Sequence, residues 1–292
     1  LETGFEMLTV NWASMQNQGV EVALSTRNIH TKNFMWTTNF NFAYNNNKIL
    51  KEALREDALE PGREGYPVGA LFALKTAGLD EEGYPMFEGK DGKAVSAMEF
   101  FKLQEWGFGA TDLTARERRE LYTYVGTADC PYTGGFNNTF TYKAFELGVN
   151  FSFDFGGKVR SQPTYSIVDF DKGRNTNRDI LNRWTPENTE TIFPVLLSQN
   201  ERLDEYMWYS NQNEIYRNLD IWIRDLNYVR LQNIRLGYTL PTNFSRKLGM
   251  TSATIAIEGR NLLVFGSSYK NYLDPETMSN AYATPAPKSV TL

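Results

Sequence analysis

The chain has almost no residues of the kinds that form disulfides, metal sites or catalytic triads. Its 292 residues include one cysteine, Cys130, and one histidine, His30. A lone cysteine cannot form an intrachain disulfide, and it makes no structural zinc site. We therefore interpret Cys130 as an unpaired side chain and His30, which lies in the polar stretch 28–32, as a loop residue.

The chain also lacks a strong charge of either sign and long apolar runs. It carries 30 basic and 35 acidic residues, a net charge of −5, without a basic block, which argues against a nucleic-acid-binding face. No segment approaches the roughly 20 apolar residues that a membrane helix needs. A membrane-spanning β-strand would escape this test, because it needs only about 10 residues with every second one apolar. Residues 1–10 resemble the interior of a chain, so we expect the natural protein to begin further upstream.

Aromatic residues are abundant, at 14% of the chain, and they favour strands and interfaces. In the segment 145–155, apolar side chains at the odd positions alternate with polar residues and glycine at the even ones. Strict alternation over this length predicts a membrane-spanning strand. The segment from Trp36 to Tyr44 also alternates. It would extend roughly 26 Å along a strand, or about 20 Å along the membrane normal once tilted, which fits a pair of aromatic girdles.

Four weaker alternating segments predict further strands, at 19–29, 136–142, 226–240 and 253–262. The alternation slips near Asn233 and Ile234, which predicts a β-bulge. We expect tight connections at 45–48, 142–144 and 241–250, and long ones at 156–225 and 264–287. A capping box at 198–201 predicts a short helix after it, and the charge pattern predicts a second helix at 111–124. Short turns at one end and long loops at the other are typical of outer-membrane barrels.

Acidic groups offer little evidence of catalysis. The carboxylates at 80–82, or Asp274 with Glu276, are the nearest approach to a glycosidase pair or a calcium site. Two carboxylates are too few to define a calcium site, and a turn fixed by Pro275 is the simpler interpretation. We expect no enzymatic activity, no metal and no cofactor.

A series of short motifs follows a fixed order along nearly the whole chain. It comprises NWASMQNQGVE at 11–21, the Trp36 strand running into NNNKI at 45–49, GLD at 78–80 with GYP at 83–85, PYTGGF at 131–136, YKAFEL at 142–147, RWTP at 183–186, YVRLQNI at 228–234, YTLP at 238–241, GRNL at 259–262, Tyr269 and DPE at 274–276. In content and order the series resembles the C-terminal barrel portion of SusC-like (RagA-like) TonB-dependent outer-membrane transporters of the Bacteroidota.

The resemblance implies an all-β fold, the C-terminal part of a 22-stranded antiparallel transmembrane β-barrel with long extracellular loops. Residues 1–292 would then be one partial domain of about eight to ten strands, fewer than half of the barrel. The plug domain, the TonB box and the first barrel strands would be absent, and the last strand would be truncated at 289–292. Such an open sheet exposes both edges, so it is not expected to fold alone.

The resemblance also implies a location and partners. The complete protein would lie in the outer membrane of a Gram-negative bacterium and import glycans or peptides together with a SusD-like surface lipoprotein. The TonB–ExbB–ExbD system would act through the missing N-terminal part. In this family's arrangement, 142–144 and 241–250 are periplasmic turns, whereas 156–225 and 264–287 are extracellular.

Two groups of side chains are candidate site residues. Aromatic rings stack on sugars and anchor interfaces, so the long-loop aromatics are candidates for contact with ligand or lipoprotein: Trp184, Tyr206, Trp208, Tyr209, Tyr216 and Trp222. Packing within the loop is the alternative for each. Charge is tolerated in a barrel lumen but not against lipid, which makes four strand residues candidates for lining the lumen: Arg230, Arg235, Glu258 and Arg260. Structural salt bridges explain these four equally well.

Two other classes of protein stay open. In a secreted β-sandwich, either a glycan-binding module or a glycan-active enzyme, the phenylalanines of 145–155 would face a second sheet instead of lipid. A non-transporting structural barrel is the third possibility. The residues themselves do not distinguish a glycan substrate from a peptide.

Overall fold

The structure is a computed structural model, and it describes residues 12–105, 110–161, 173, 178–196, 217–266, 274–277 and 283–292. The chain divides into two compact units. The loop unit comprises 1–16, 48–126 and 160–223, and the sheet unit comprises 17–47, 127–159 and 224–292. Within the described ranges, no helix is long and apolar enough to cross a membrane.

β-Strands dominate the described residues. The strands are β1 (Ser14–His30), β2 (Phe34–Lys51), β3 (Ala70–Leu74), β4 (Thr76–Leu79), β5 (Pro85–Glu88), β6 (Ala94–Ser96), β7 (Tyr122–Thr127), β8 (Tyr132–Tyr142), β9 (Phe145–Arg160), β10 (Ile223–Thr239), β11 (Thr254–Phe265) and β12 (Ser289–Thr291). The pairs β2–β8, β8–β9, β10–β11 and β11–β12 are antiparallel. The helices are α1 (Ala97–Phe100), α2 (Ala115–Glu120) and α3 (Thr242–Lys247), with 3₁₀ turns at Arg178–Asn182 and Asp220–Trp222. The predicted all-β class is confirmed.

Seven strands form the large sheet, in the order β1-β2-β8-β9-β10-β11-β12. All six predicted strands are present in it, and each is longer than its alternating segment. The tight connection at 142–144 is also confirmed. There Tyr142 pairs with Phe145, and Lys143 takes a positive φ of 52° that lets the chain reverse within two residues.

The connection predicted at 45–48 is wrong, because β2 continues through it to Lys51. The extended backbone keeps a partner there. The Asn45 N–H donates to the Pro131 carbonyl at 2.9 Å, and the Asn47 amide donates to the Asp129 carboxylate at 3.3 Å. Asparagine-rich sequence favours turns only where no neighbouring strand satisfies its backbone.

The predicted bulge is confirmed, but its extra residue lies on the neighbouring strand. Leu231 pairs with Leu263 and Asn233 with Arg260, so two steps on β10 face three steps on β11. Asn261 absorbs the difference with a positive φ of 53°, a conformation that asparagine tolerates better than most residues.

The helix predicted at 111–124 is shorter than expected. It spans Ala115–Glu120 and begins at a capping box, in which the Thr114 side chain accepts from the Glu117 N–H and the Glu117 carboxylate accepts from the Thr114 N–H. These two Thr114 groups, together with Lys102, lower the pKa of Glu117 to about 2. The chain leaves the helix for β7 because the residues from Tyr122 onward are β-formers. The capping box predicted at 198–201 and the short helix expected after it lie outside the described residues.

The loop unit has a hydrophobic core of its own. Strands β3 and β7 pair in one small sheet and β4, β5 and β6 in another. The buried cluster consists of Leu74, Phe87, Ala97, Phe101, Leu103, Leu219 and Trp222. Part of the long connections is therefore folded structure, as expected of long segments that carry function.

Candidate functional site

One face of the large sheet is aromatic. Side chains alternate along a strand, and the register pairs the even positions of β2 with the even positions of β8, and these with the odd positions of β9. A single face therefore presents, beside the hydrogen-bonded Thr38 and Asn138, the residues Phe34, Trp36, Phe40, Phe42, Tyr44, Tyr132, Phe136, Phe140, Tyr142, Phe145, Leu147, Val149, Phe151, Phe153 and Phe155. Their rings contact one another across strands. The ring centroids of Phe136 and Phe151 are 4.8 Å apart, and those of Phe145 and Tyr238 are 4.6 Å apart.

The height of this aromatic face matches a bilayer. Tyr132 and Tyr142 mark its two ends on β8. Ten residues separate them, which corresponds to roughly 33 Å along the strand and about 25 Å along the membrane normal for a tilted barrel strand. The outer residues stay exposed, with 43% of Tyr132 and 51% of Tyr142 accessible. This is the arrangement of two aromatic girdles around an apolar band.

The opposite face of the sheet is polar and hydrogen-bonded. Arg235 donates to Glu146 at 3.1 Å, and Gln232 donates to Ser152 at 2.7 Å. On β11, Glu258 accepts from Asn233 and from Arg260, each at 2.5 Å. All four strand residues predicted to line a lumen, Arg230, Arg235, Glu258 and Arg260, lie on this polar face. Each of them also makes an ion pair.

Arg230 is the buried centre of a charged cluster on the polar face. Only 2% of its surface is exposed. Its Nε donates to the Glu276 carboxylate at 2.9 Å, and its Nη2 donates to Asp274. The Tyr228 hydroxyl lies within hydrogen-bond distance of Glu276, at 3.1 Å, and of Asp154. The cluster therefore joins β9, β10 and the turn at 274–277, and we call it the Arg230 latch.

The turn held by the latch is itself ordered around Asp274. The Asp274 carboxylate accepts from the backbone N–H of Glu276 at 3.0 Å and of Ala286 at 3.4 Å. Burial alone would raise the pKa of Asp274, but Arg230 and the two N–H groups hold it below its usual value. The predicted turn around Pro275 is confirmed. Its carboxylates bind a guanidinium, and no cluster of three or more His, Cys, Asp or Glu suited to a metal occurs in the described part of the chain.

Sequence reasoning missed this latch as a unit. It selected Arg230 for its charge and interpreted 274–276 as a turn, but it did not connect them. Arg230 and Asp274 are 44 residues apart, and no local pattern indicates which loop covers a given strand. The one available signal was the placement of Tyr228 and Arg230 two residues apart, on one face.

The aromatic residues predicted to contact ligand or lipoprotein differ in where the structure places them. Trp222 is completely buried in the core of the loop unit, so its prediction as a contact residue is corrected: the ring packs in the core because apolar neighbours surround it there. Trp184 is partly exposed and packs against the backbone of Gly83. The other four, Tyr206, Trp208, Tyr209 and Tyr216, lie outside the described residues and stay predictions.

The contact between Trp184 and Gly83 is testable by substitution. Gly83 has a φ of +85°, and a Cβ atom there would lie 2.5 Å from Cδ2 of Trp184. Gly65 has nearly the same φ, +88°, with nothing within 4 Å of its Cβ position. Both changes to alanine strain the backbone, but only Gly83→Ala also displaces a ring. We expect Gly83→Ala to lower the opening free energy of the loop unit by about 2 kcal/mol more than Gly65→Ala, measured by hydrogen exchange on the complete protein. Equal losses would show that the ring does not pack there.

Comparison with known proteins shows which proteins the chain is similar to. No family model matches the chain. It is 28% identical to TonB-dependent receptor P3 of Formosa agariphila, in an alignment covering 87% of this chain and 25% of that protein. It is 23% identical to TonB-dependent receptor SusC of Bacteroides thetaiotaomicron, covering 97% of this chain and 26% of SusC. The chain thus spans about a quarter of the length of these curated relatives.

Solved structures show the same fold. The chain superimposes on the RagAB peptide transporter with a TM-score of 0.67 and 23% identity, over 94% of this chain and 28% of that one. The RagAB peptide importer in its open-open state gives a TM-score of 0.63 at 22% identity. The suspected resemblance is confirmed: by sequence and fold, the chain is similar to part of the SusC-like TonB-dependent receptors, which are β-barrel proteins of the Gram-negative outer membrane.

Proposed function

We propose that this chain forms part of the barrel wall and outer loops of a SusC-like transporter, and that the complete protein imports glycans or peptides across the outer membrane. The observation that carries the proposal is a single sheet with one aromatic face of bilayer height and one polar face rich in charge. Lipid contact accounts for the first face and a water-filled lumen for the second.

A soluble β-sandwich fits the aromatic face poorly. Sandwich cores bury their inward-facing side chains against a second sheet. Here the end residues Phe145 and Phe155 keep 49% and 37% of their surface exposed. On β1 of the same sheet, Val20 and Leu24 are also more than half exposed, at 59% and 53%. An exposed apolar surface of this extent indicates a membrane or a protein partner.

In this proposal the polar face lines the lumen, and the Arg230 latch holds an extracellular loop against the wall. Arg230, Arg235, Glu258 and Arg260 then act by fixing the shape and charge of the passage, not by chemistry on the substrate. A role without catalysis is consistent with relatives that are named as a receptor and a transporter.

The partners are proposed from the relatives. RagAB is described as a peptide transporter, and the curated relatives are named TonB-dependent receptors. We therefore propose that the complete protein works with a SusD-like surface lipoprotein and draws energy from the TonB–ExbB–ExbD system. Tyr206, Trp208, Tyr209, Tyr216 and Trp184 are the aromatics proposed for contact with ligand or lipoprotein.

Uptake by intact cells tests the function. Cells lacking the gene for the complete protein, and cells with it restored, would be given labelled oligosaccharides and labelled peptides. We expect saturable uptake of one class only in the restored cells, and its loss on adding a protonophore, because TonB-dependent import uses the inner-membrane gradient. Uptake that is unaffected by the protonophore would contradict the proposal, as would a complete protein that stays soluble and monomeric without detergent.

A further inference from the structure

The loop unit contains a cavity of about 480 Å³, which lies in the size range of small-molecule sites, roughly 300–1,000 Å³. Phe72 and Tyr122 provide aromatic surface in its wall, and Arg160 and Asn218 provide hydrogen-bonding groups. A few polar groups set among aromatic ones is the usual composition of a ligand site.

Arg160 is the distinctive group in this wall. It is half-buried, and its guanidinium donates to two backbone carbonyls, that of Arg217 at 3.0 Å and that of Phe72. No ion pair joins Arg160 to a carboxylate among the described residues. A guanidinium has five N–H donors, so the two carbonyls orient it and leave donors for a further acceptor. A partly buried charge is costly until it meets an opposite charge.

The other charged groups of the cavity do not supply that opposite charge. Glu52 is already paired with Arg63. Its carboxylate accepts from the Arg63 guanidinium at 3.1 Å and from the Arg63 backbone N–H at 2.5 Å. Glu60 also lines the cavity, but it is solvent-exposed and forms no ion pair with Arg160, so its negative charge acts on the guanidinium only from a distance. Among the residues that the structure describes, Arg160 is therefore an oriented cation of this cavity without a carboxylate partner.

A second polar group is also held in place. The Asn218 amide donates to the Tyr122 hydroxyl at 3.3 Å, which orients the amide plane, and within the described ranges its side-chain carbonyl and second N–H remain for a ligand. Groups oriented in advance lose little freedom when a ligand binds.

We propose that this cavity binds a carboxylate group of a small ligand, with the Arg160 guanidinium pairing with the carboxylate and with Phe72 and Tyr122 flanking the adjacent part of the molecule. Arg is suited to this because its planar fork matches a carboxylate in a bidentate pair. Two solutes carry this chemistry, a uronic acid of a glycan and the C-terminal carboxylate of a peptide. The inference rests on the proposed function only in placing the loop unit outside the membrane.

Paired acidic and neutral probes test the cavity in the complete purified transporter. The probes are glucuronic acid against glucose, and N-acetylphenylalanine against its amide, with dissociation constants measured by isothermal titration. We expect at least one acid to bind about tenfold more tightly than its neutral analogue, since hydrogen bonds to charged groups are the strong ones. Which acid it is identifies the source of the carboxylate.

Substitutions in the cavity test whether the preference for acidic probes arises there. Arg160→Gln should abolish the preference for the acid, whereas Arg160→Lys should keep part of it because the charge remains. Glu60→Gln should tighten acid binding without changing that of the neutral analogue, and it does not touch the contacts that Arg160 makes. Glu105→Gln, an exposed carboxylate of the same unit outside the cavity, should change nothing.

Several outcomes would overturn the inference: equal binding of acid and neutral probes, a preference that survives in a folded Arg160→Gln protein, or a Glu60→Gln variant whose acid affinity is unchanged. The last test holds even if Arg160→Gln does not fold. If cells still import by the TonB route while the cavity shows no preference, this inference fails and the proposed function stands. If cells with the unmodified protein show no import by the TonB route, the proposed function is rejected instead.

Discussion

Replacing Arg230 with methionine is expected to destabilise the attachment of the 274–277 turn by about 3–5 kcal/mol, the cost of breaking a buried ion pair from one side. The change leaves Asp274, whose side chain is 7% exposed, without its guanidinium. It also removes the cation that separates the carboxylates of Asp274 and Glu276. The expected result is a turn that opens far more often while the sheet itself persists.

Hydrogen exchange on the complete protein measures this effect at the backbone N–H groups of 276, 277 and 286. The matched control is Arg235→Gln, on the same strand and face. Its pair with Glu146 spans 3.1 Å between side chains that are 38% and 53% exposed. Exposed pairs contribute about 0–1 kcal/mol, so this control should leave exchange at the turn unchanged.

The double variant Arg230→Met with Asp274→Asn separates the energy of the Arg230–Asp274 ion pair from the other effects of each single change. If the main cost is an uncompensated charge, the double variant should be less destabilised than the sum of the two single changes. Additive losses, or an Arg230→Met effect no larger than that of Arg235→Gln, would show that the latch does not hold the turn.

A lysine on the aromatic face is expected to reduce the free energy of folding into a membrane strongly, whereas a lysine on the polar face should change it little. Val149 and Asn150 are neighbours near the middle of the bilayer-height part of β9 and point to opposite faces. A charge on the lipid face costs about 2–4 kcal/mol at the midplane and about 0–1 kcal/mol near the interface. We therefore expect Val149→Lys to impair membrane folding strongly, Asn150→Lys to have little effect, and Phe155→Lys to lie between them.

Refolding of the complete protein into lipid vesicles gives this comparison, with the folded fraction measured across a urea series. Depth dependence is the informative readout, because burial against a second sheet would penalise lysine without regard to distance from the membrane centre. An equal cost at 149 and 150 would contradict the assignment of the faces. A cost at 155 as large as that at 149 would contradict the lipid-facing band.

The sequence alone was sufficient for the six long strands of the large sheet, for the two faces and for the family resemblance, but not for β3 to β7 of the loop unit. Alternation with a period of two is a local property, so every predicted strand could be found from neighbouring residues. The same pattern separated Val149 from Asn150, and charge made Arg235 and Glu258 candidates for lining the lumen. The reversal at Lys143 was also local, set by two residues between strands.

Errors appeared where a distant partner overrides local preference. The asparagines at 45–47 favour a turn, yet Pro131 and Asp129 supply the hydrogen bonds that keep β2 extended. The slip at Asn233 was visible in the sequence, but the extra residue lies across the sheet at Asn261. Trp222 was interpreted as a surface ring because nothing in the sequence shows that the loop unit has a core.

The sequence by itself therefore determined that this protein is built of long strands with one aromatic and one polar face, and that its motifs follow those of SusC-like transporters. Only the tertiary structure decided which polar groups act together. Arg230 meets Asp274 across 44 residues, and Arg160 meets the carbonyl of Phe72 across 88. Such contacts depend on how loops return to the strands, and chain closure over these distances leaves no periodic pattern to detect.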